Sequence, residues 1–395
     1  MRRAAARLLC GLASTALGLL LADWAVARWM PLPAMVFRLD AELLFAPVPH
    51  ARRVLPLAPG AGGAWITTEL ESHGFRGPEL APKKRGPRVL VLGDSLVMAQ
   101  TSPLEDTYCV KFGAELGREV EVVNAGVSGY GPDQECLLLE RLLQPLAPDL
   151  VVLVICAHND FGDLVRDKLF RLGTSEQLVR NKPVLDARLL ERFQQAERIV
   201  SRPALLLALG TLSQPDRQDV PGQAEDSPYV EWYLKGAEEE YQEFVVERND
   251  VVRSLFQDYY DADVSIRPDA PSVQFKQRLM EVVLARVRDD CAKGGVPLFV
   301  LVVPSSVDLC PTFRMHVDPA QHPGWTPRRM TDAYAAILAR LSIPFVDLAP
   351  AFLAAGPEKL YLGRGDFHWN GAGAGLGAGK SAEFLRAHAL WPPRR

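Results

Sequence analysis

Residues 88–96 read RVLVLGDSL. Val89 to Leu92 form an unbroken apolar run that stops at a glycine. A strand with one face in water would alternate, so this run predicts a strand buried on both faces, the kind that builds a parallel sheet. EVEVVNAG (119–126), DLVVLVICA (149–157) and PLFVLVVP (297–304) are read the same way, and IPFVDLA (343–349) follows a stretch rich in alanine and leucine. Helical stretches lie over 134–146 and 272–291. In the second, Ser272 can cap, while Phe275, Leu279, Val282, Val283 and Val287 recur at helical spacing. Alternating strands and helices predict an α/β fold with a parallel sheet, doubly wound because crossovers are right-handed.

Roughly 140 residues separate the third and fourth runs, far more than one crossover helix needs. A long, mainly helical insertion over 163–271 is expected there. It holds an amphipathic section with Leu185, Leu189, Leu190 and Phe193, then a stretch over 225–263 in which carboxylates outnumber basic residues twelve to three. Tyr229, Trp232, Tyr233, Tyr241, Phe244, Phe256, Tyr259 and Tyr260 are interleaved with those charges. One reading is a helical pair with a solvated acidic face. The other is a lid or carbohydrate platform, since aromatic faces suit sugar rings.

Residues 1–30 carry Arg2, Arg3 and Arg7 ahead of an uncharged run from Leu8 to Ala22, with Asp23 the only interruption before Arg28. Extended to Ala27, the run is about 20 residues, enough to cross a bilayer. A cleaved signal peptide would use Ala25-Val26-Ala27 as its processing site. An uncleaved anchor would keep the arginines in the cytoplasm and set Trp24 and Trp29 near the far interface. Asp23 and Arg28 flank the cleavage site awkwardly and favour the anchor. Either reading exports the rest of the chain, of which 31–85 is a linker and lead-in and 86–395 the main domain.

The net charge of −4 includes four arginines in the first 30 residues, so the body is more acidic still. No basic stripe is present, which argues against nucleic acid as a partner. Six cysteines in 395 residues, without a C-x-x-C pair or a Cys/His spacing, suggest neither a disulfide scaffold nor zinc. No metal or organic cofactor is implied.

Four places carry chemistry, and three lie at the C-terminal ends of predicted strands, the edge where open α/β sheets bind ligands. Ser95, after Gly93-Asp94, sits on a strand-to-helix turn that can expose its Oγ; alone, it is as readily an N-cap. The loop Asn124-Ala125-Gly126-Val127-Ser128-Gly129-Tyr130-Gly131 can present backbone N–H groups to an anion, or be a plain turn. In His158-Asn159-Asp160, Asn159 offers an amide donor to a developing oxyanion, while His158 reads as a strand-end residue. In Gly365-Asp366-Phe367-His368-Trp369-Asn370, His368 can act as a base oriented by Asp366, or lie on a surface loop. The GAGAGLGAG after it fails G-x-G-x-x-G and reads as the small-residue start of a helix packed on the sheet.

In this order, Ser95, Gly126, Asn159 and His368 resemble the four blocks of the GDSL/SGNH hydrolase superfamily. The resemblance covers about 86–160 and 297–385 and leaves out the insertion. More weakly, SHGFRGPE (72–79) is similar to the lead-in of membrane-attached members. It implies a three-layer, five-stranded flavodoxin-like fold and a triad of Ser95, His368 and Asp366. It further implies an oxyanion hole made by the Ser95 N–H, the Gly126 N–H and the Asn159 amide. Two features depart from the pattern. Ala157-His158-Asn159-Asp160 stands for G-x-N-D, and Asp366 is two residues before His368 rather than three. D-x-H-W is similar to the block of alginate acetylation proteins in the same superfamily.

The expected function is an exported serine esterase that removes O-acyl groups, acetyl first among them, from a glycan or similar ester. The alternatives are an O-acyltransferase using the same acyl-enzyme and a non-catalytic binding module on the same fold.

Overall fold

The computed structural model describes residues 2–30, 32, 35–55, 64–117, 119–212, 229–256, 259–363 and 365–391. Residues 60–63, three of them glycine, and the start of the acidic stretch at 225–228 lie outside the described residues.

The five runs form one parallel sheet: β1 (Arg88–Gly93), β2 (Glu121–Gly126), β3 (Leu150–Cys156), β4 (Leu298–Val303) and β5 (Phe345–Asp347). Their spatial order is β5-β4-β3-β1-β2, with Gly93 opposite Gly126 and Cys156 opposite Val303. Every residue of β1, β3 and β4 is buried, as unbroken apolar runs demand. This is the flavodoxin-like order, and the strand order reverses between β1 and β3. A ligand crevice belongs at that reversal, and the segments after β1 and β3 begin with Asp94-Ser95 and Ala157-His158-Asn159.

Helices cover both faces of the sheet. After α1 (Arg2–Trp29) come α2 (Ser95–Met98), α3 (Tyr108–Leu116), α4 (Pro132–Leu146) and α5 (Asp160–Asp167). The segment after α5 supplies α6 (Ala187–Val200), α7 (Ala204–Leu212), α8 (Tyr229–Tyr241) and α9 (Ala262–Ile266). Then follow α10 (Pro271–Lys293), α11 (Ser306–Leu309), α12 (Arg329–Arg340), α13 (Ala349–Ala355) and α14 (Gly371–Ala387). The glycine-rich stretch does open α14, which packs on α3; a Cβ at Gly373 would lie 2.4 Å from the Leu360 carbonyl oxygen.

Among the described residues, the acidic stretch holds α8, a π-helical turn over 242–246 that continues it, and the first residues of the short α9. After that turn Val251–Val252 pairs in parallel with Val184–Leu185, because Asn249 turns the chain and two β-branched residues follow. Lys276 of α10, fully buried, bonds Asp261 at 3.0 Å and Asp263 at 2.8 Å, which fastens the end of the stretch to that helix. Trp232, Tyr233 and Tyr259 meet edge to face and line a cavity of ≈ 320 Å³ together with Arg166, Glu239 and Glu240.

Candidate active site

Ser95 is the first residue of α2, and the helix is set by its surroundings. Asp94 is the N-cap and its Oδ1 accepts the Leu96 N–H at 2.8 Å. Two glycines let α2 lie against the strand ends. A Cβ on Gly93 would come within 2.3 Å of Val97 Cγ2, and one on Gly126 within 2.6 Å of the Met98 nitrogen. Beyond the helix, Arg76 is buried and donates to the carbonyls of Met98 (3.0 Å), Ala99 and Ser102 (2.7 Å). It places a cation at the end of the helix where carbonyls lack partners. Burial brings its pKa down to about 10, still charged at neutral pH.

The opposing wall is a short hairpin, β6 (Tyr361–Gly363) and β7 (Asp366–Trp369). His368 Nε2 is 2.7 Å from Ser95 Oγ, and His368 Nδ1 is 2.6 Å from Asp366 Oδ1. The same carboxylate oxygen accepts the His368 backbone N–H at 3.0 Å. Burial alone would raise the Asp366 carboxyl, but the bonds and charge of His368 outweigh it and hold the pKa below the usual value. An ionised carboxylate only accepts, so Nδ1 carries the proton and Nε2 is left to accept from the serine hydroxyl. Trp369 ties the two walls together: its indole N–H donates to the Leu96 carbonyl at 3.0 Å. Asn370 caps α14.

The residues named for the oxyanion hole are placed unequally. Gly126 ends β2, and its N–H donates to Asn124 Oδ1 at 3.2 Å, turned into the protein. The glycine is needed there for the approach of α2. The loop's φ-positive glycine is Gly129, at 81°. Asn159 is fully buried at the N-cap of α5, and its Nδ2 donates to Asp163 Oδ2 at 2.7 Å. Its Oδ1 has no hydrogen-bond partner among the described residues. Arg166 holds this corner, bonding Asp163 Oδ1 at 2.5 Å and the Asn159 carbonyl at 3.1 Å. His158 is buried, bonds Ser305 Oγ at 2.9 Å and stacks on Phe367 at 4.1 Å. Asp347, at the end of β5, is engaged by Arg328 and by the Ala349 N–H, both at 2.8 Å.

Behind the site lies a layer of buried acids: Asp94, Asp133, Glu135, Asp160, Asp163 and Asp167. Burial, then the charges of Asp94, Asp133 and Asp163, push Glu135 well above the usual carboxyl range. Burial, then the charges of Glu135, Asp94 and Asp163, do the same to Asp160. Asp133 is pushed up to about 7 by burial.

Among the described residues, two sets could gather around one ion: Glu71, His73 and Glu79, and Cys136, Glu140 and Asp290. Neither includes a residue of the Ser95 site. All six cysteines are free thiols and five are buried.

Asp163 and Arg166 were not singled out from the sequence, and Arg76 and Trp369 entered only as letters of SHGFRGPE and D-x-H-W, with no role. Each acts through a backbone carbonyl or through one neighbouring side chain, and such partners leave no short-range pattern.

The strand order, with the serine and asparagine blocks after neighbouring strands and the histidine block on the hairpin facing them, is the arrangement that the resemblance to GDSL/SGNH hydrolases leads one to expect. More narrowly, residues 259–393 match the family model of an SGNH hydrolase-like domain, acetyltransferase AlgX. The match includes Asp366 and His368 and begins after Ser95. Among curated proteins, no sequence matches the chain. Among solved structures, the chain is similar to a lipase/acylhydrolase from Enterococcus faecalis, at 11% identity and a TM-score of 0.37 over 78% of this chain and 99% of that one. A GDSL-like lipase from Bacteroides thetaiotaomicron is also 11% identical, with a TM-score of 0.32 over 79% and 91%. A two-domain esterase active on acetylated mannans is 12% identical, with a TM-score of 0.34 over 78% and 51%.

Proposed function

We propose that this protein is an exported serine esterase that removes O-acyl groups, acetyl above all, from a glycan or similar ester. The observation that carries the reading is the line from Ser95 Oγ through His368 to Asp366, with contacts of 2.7 and 2.6 Å. Ser95 attacks the ester carbonyl while His368 Nε2 takes its proton, and Asp366 stabilises the imidazolium that forms. The imidazolium returns the proton to the leaving alcohol, which frees the acyl-enzyme. Water, activated by the same imidazole, then releases the acid and regenerates Ser95. The Ser95 N–H and the second Asn159 amide hydrogen serve the oxyanion, with Gly129 rather than Gly126 as the donor from the β2 loop. Each such donor is worth about 2.7–4 kcal/mol of barrier.

The catalytic unit is 86–395, with the insertion 163–271 shaping access and 31–85 leading in. The arginine-flanked α1, long and apolar enough to cross a bilayer, would hold that unit outside the cytoplasm.

A second reading has a specific observation behind it, the match of 259–393 to a domain named for an acetyltransferase. An acceptor sugar hydroxyl would replace water in the second step. Product analysis with an acetyl donor, with and without an oligosaccharide acceptor, separates the two. Free acetate that is unchanged by acceptor supports the esterase; acetylated oligosaccharide supports the transferase. A serine-directed phosphonate that leaves Ser95 unmodified in folded protein would refute both and leave a binding module.

A further inference from the structure

The anchor helix is not alone. α7, sequence ALLLALGTL, carries no charged residue and lies against the C-terminal part of α1. The Leu205 N–H donates to Asp23 Oδ1 at 2.8 Å, so the one acid within α1's apolar run serves the first turn of α7. Ala204 and Ala208, one turn apart, are buried, while Leu206 and Leu209 are 57% and 63% exposed. Small residues on the hidden side let two helices approach closely, as they do within membranes.

We propose that α7 is a second membrane-seated element, docked beside α1 with Leu206 and Leu209 in the lipid. The proposal rests on the reading of α1 as a retained anchor. Counting about 20 residues from Leu8 puts the far hydrocarbon boundary near Ala27, and Asp23 then lies roughly 6 Å inside it. An unpaired carboxylate at that depth is costly. The Leu205 N–H and the positive end of α7 offset the cost, provided that α7 reaches the same depth. Leu17, Leu19, Leu20 and Leu21 of α1 are likewise all more than half exposed. Arg28 on α1 and Arg202 just before α7 supply basic side chains suited to the headgroup level. At its end α1 is joined to the body, where Arg52 donates to the Ala27 carbonyl at 3.3 Å. The body is thereby held to the bilayer at two points.

The test uses the full chain with Cys10→Ser, since the other five cysteines are buried. Single cysteines replace Leu206, Leu209, Leu20 of α1 and Leu353 of the body, each labelled with a nitrobenzoxadiazole dye. The protein is reconstituted in phosphatidylcholine/phosphatidylglycerol vesicles with or without lipids bearing a nitroxide on the acyl chain. Labels at 206 and 209 should be quenched to at least about half the extent seen at Leu20, and the label at 353 should not be. Asp23→Ala should reduce quenching at 206 and 209 and leave Leu20 unchanged. Quenching at Leu20 without quenching at 206 and 209 overturns the proposal while the anchor stands. An N-terminus processed at Ala27, or no quenching at Leu20, overturns the anchor reading and this proposal with it.

Discussion

One residue separates Asp366 from His368, and the strand geometry of β7 makes that spacing work. Side chains two apart on a strand leave the same face, so the carboxylate lies beside the ring it is to orient. Asp366→Asn should therefore leave the fold intact and lower turnover by up to about 10⁴, because the amide can favour the wrong tautomer. A loss under about tenfold would show that another group orients the ring. Ser95→Ala should abolish ester turnover with an unchanged circular dichroism spectrum; a tenth of the activity remaining would exclude the nucleophile. Asn159 depends on a neighbour that the sequence does not advertise. Asp163→Asn should swing its amide and lower kcat by about tenfold or more with a smaller change in KM, since the donor acts in the transition state. Equal changes in both would place Asp163 in ground-state binding. The serine and the asparagine stood out because each follows a strand of plain pattern, whereas the histidine, read from the sequence on a loop, lies on the four-residue strand β7. The glycine of the second block did not stand out. NAGVSG holds two, and only the backbone tells that Gly126 is turned inward while Gly129 carries the positive φ.

At the scale of elements, α2 is too short to hold itself. A four-residue helix has almost no internal hydrogen bonding, so Asp94 at one end and Arg76 at the other define it. Arg76→Met should cost about 2–4 kcal/mol in denaturant unfolding, because three carbonyls lose a charged donor at once. It should also lower kcat, as the nucleophile loses its fixed position. A stability loss below about 0.5 kcal/mol would mean that water replaces the guanidinium. The main strands were readable because burial on both faces writes itself as unbroken apolar runs. The insertion was less so. Its strands are two or three residues long, and what makes Val184–Leu185 a strand is Val251–Val252, some 67 residues away.

Across the molecule, the acid layer sets a pH dependence. Asp133, Glu135, Asp160 and Asp167 all have folded pKa values above their unfolded ones, with burial the leading cause. Each binds a proton more tightly when folded, so its contribution is full below about pH 4 and fades as pH rises through about 7 for Asp133. In the other direction, the Arg141 bond holds Asp40 down at about 2, and its contribution is lost only in strong acid. The midpoint of thermal unfolding should therefore be higher at pH 5 than at pH 8. Glu135→Gln should flatten that slope by giving the site a permanently neutral side chain. A midpoint that rises from pH 5 to pH 8 would show that these acids are ionised in the fold.

The contact between Ser95 and His368 spans 273 residues of chain. Through Trp369 and Leu96, the strand bearing the base and the helix bearing the nucleophile are also bonded directly across that separation. If the chain is exported and uses this pair as proposed, it emerges from the export channel one end first, so the serine arrives long before its base. Until the last segment has folded back onto α2, the hydroxyl has nothing to take its proton. On that proposal, nascent and truncated chains would be inert, and reactivity would switch on only after the chain has left the channel.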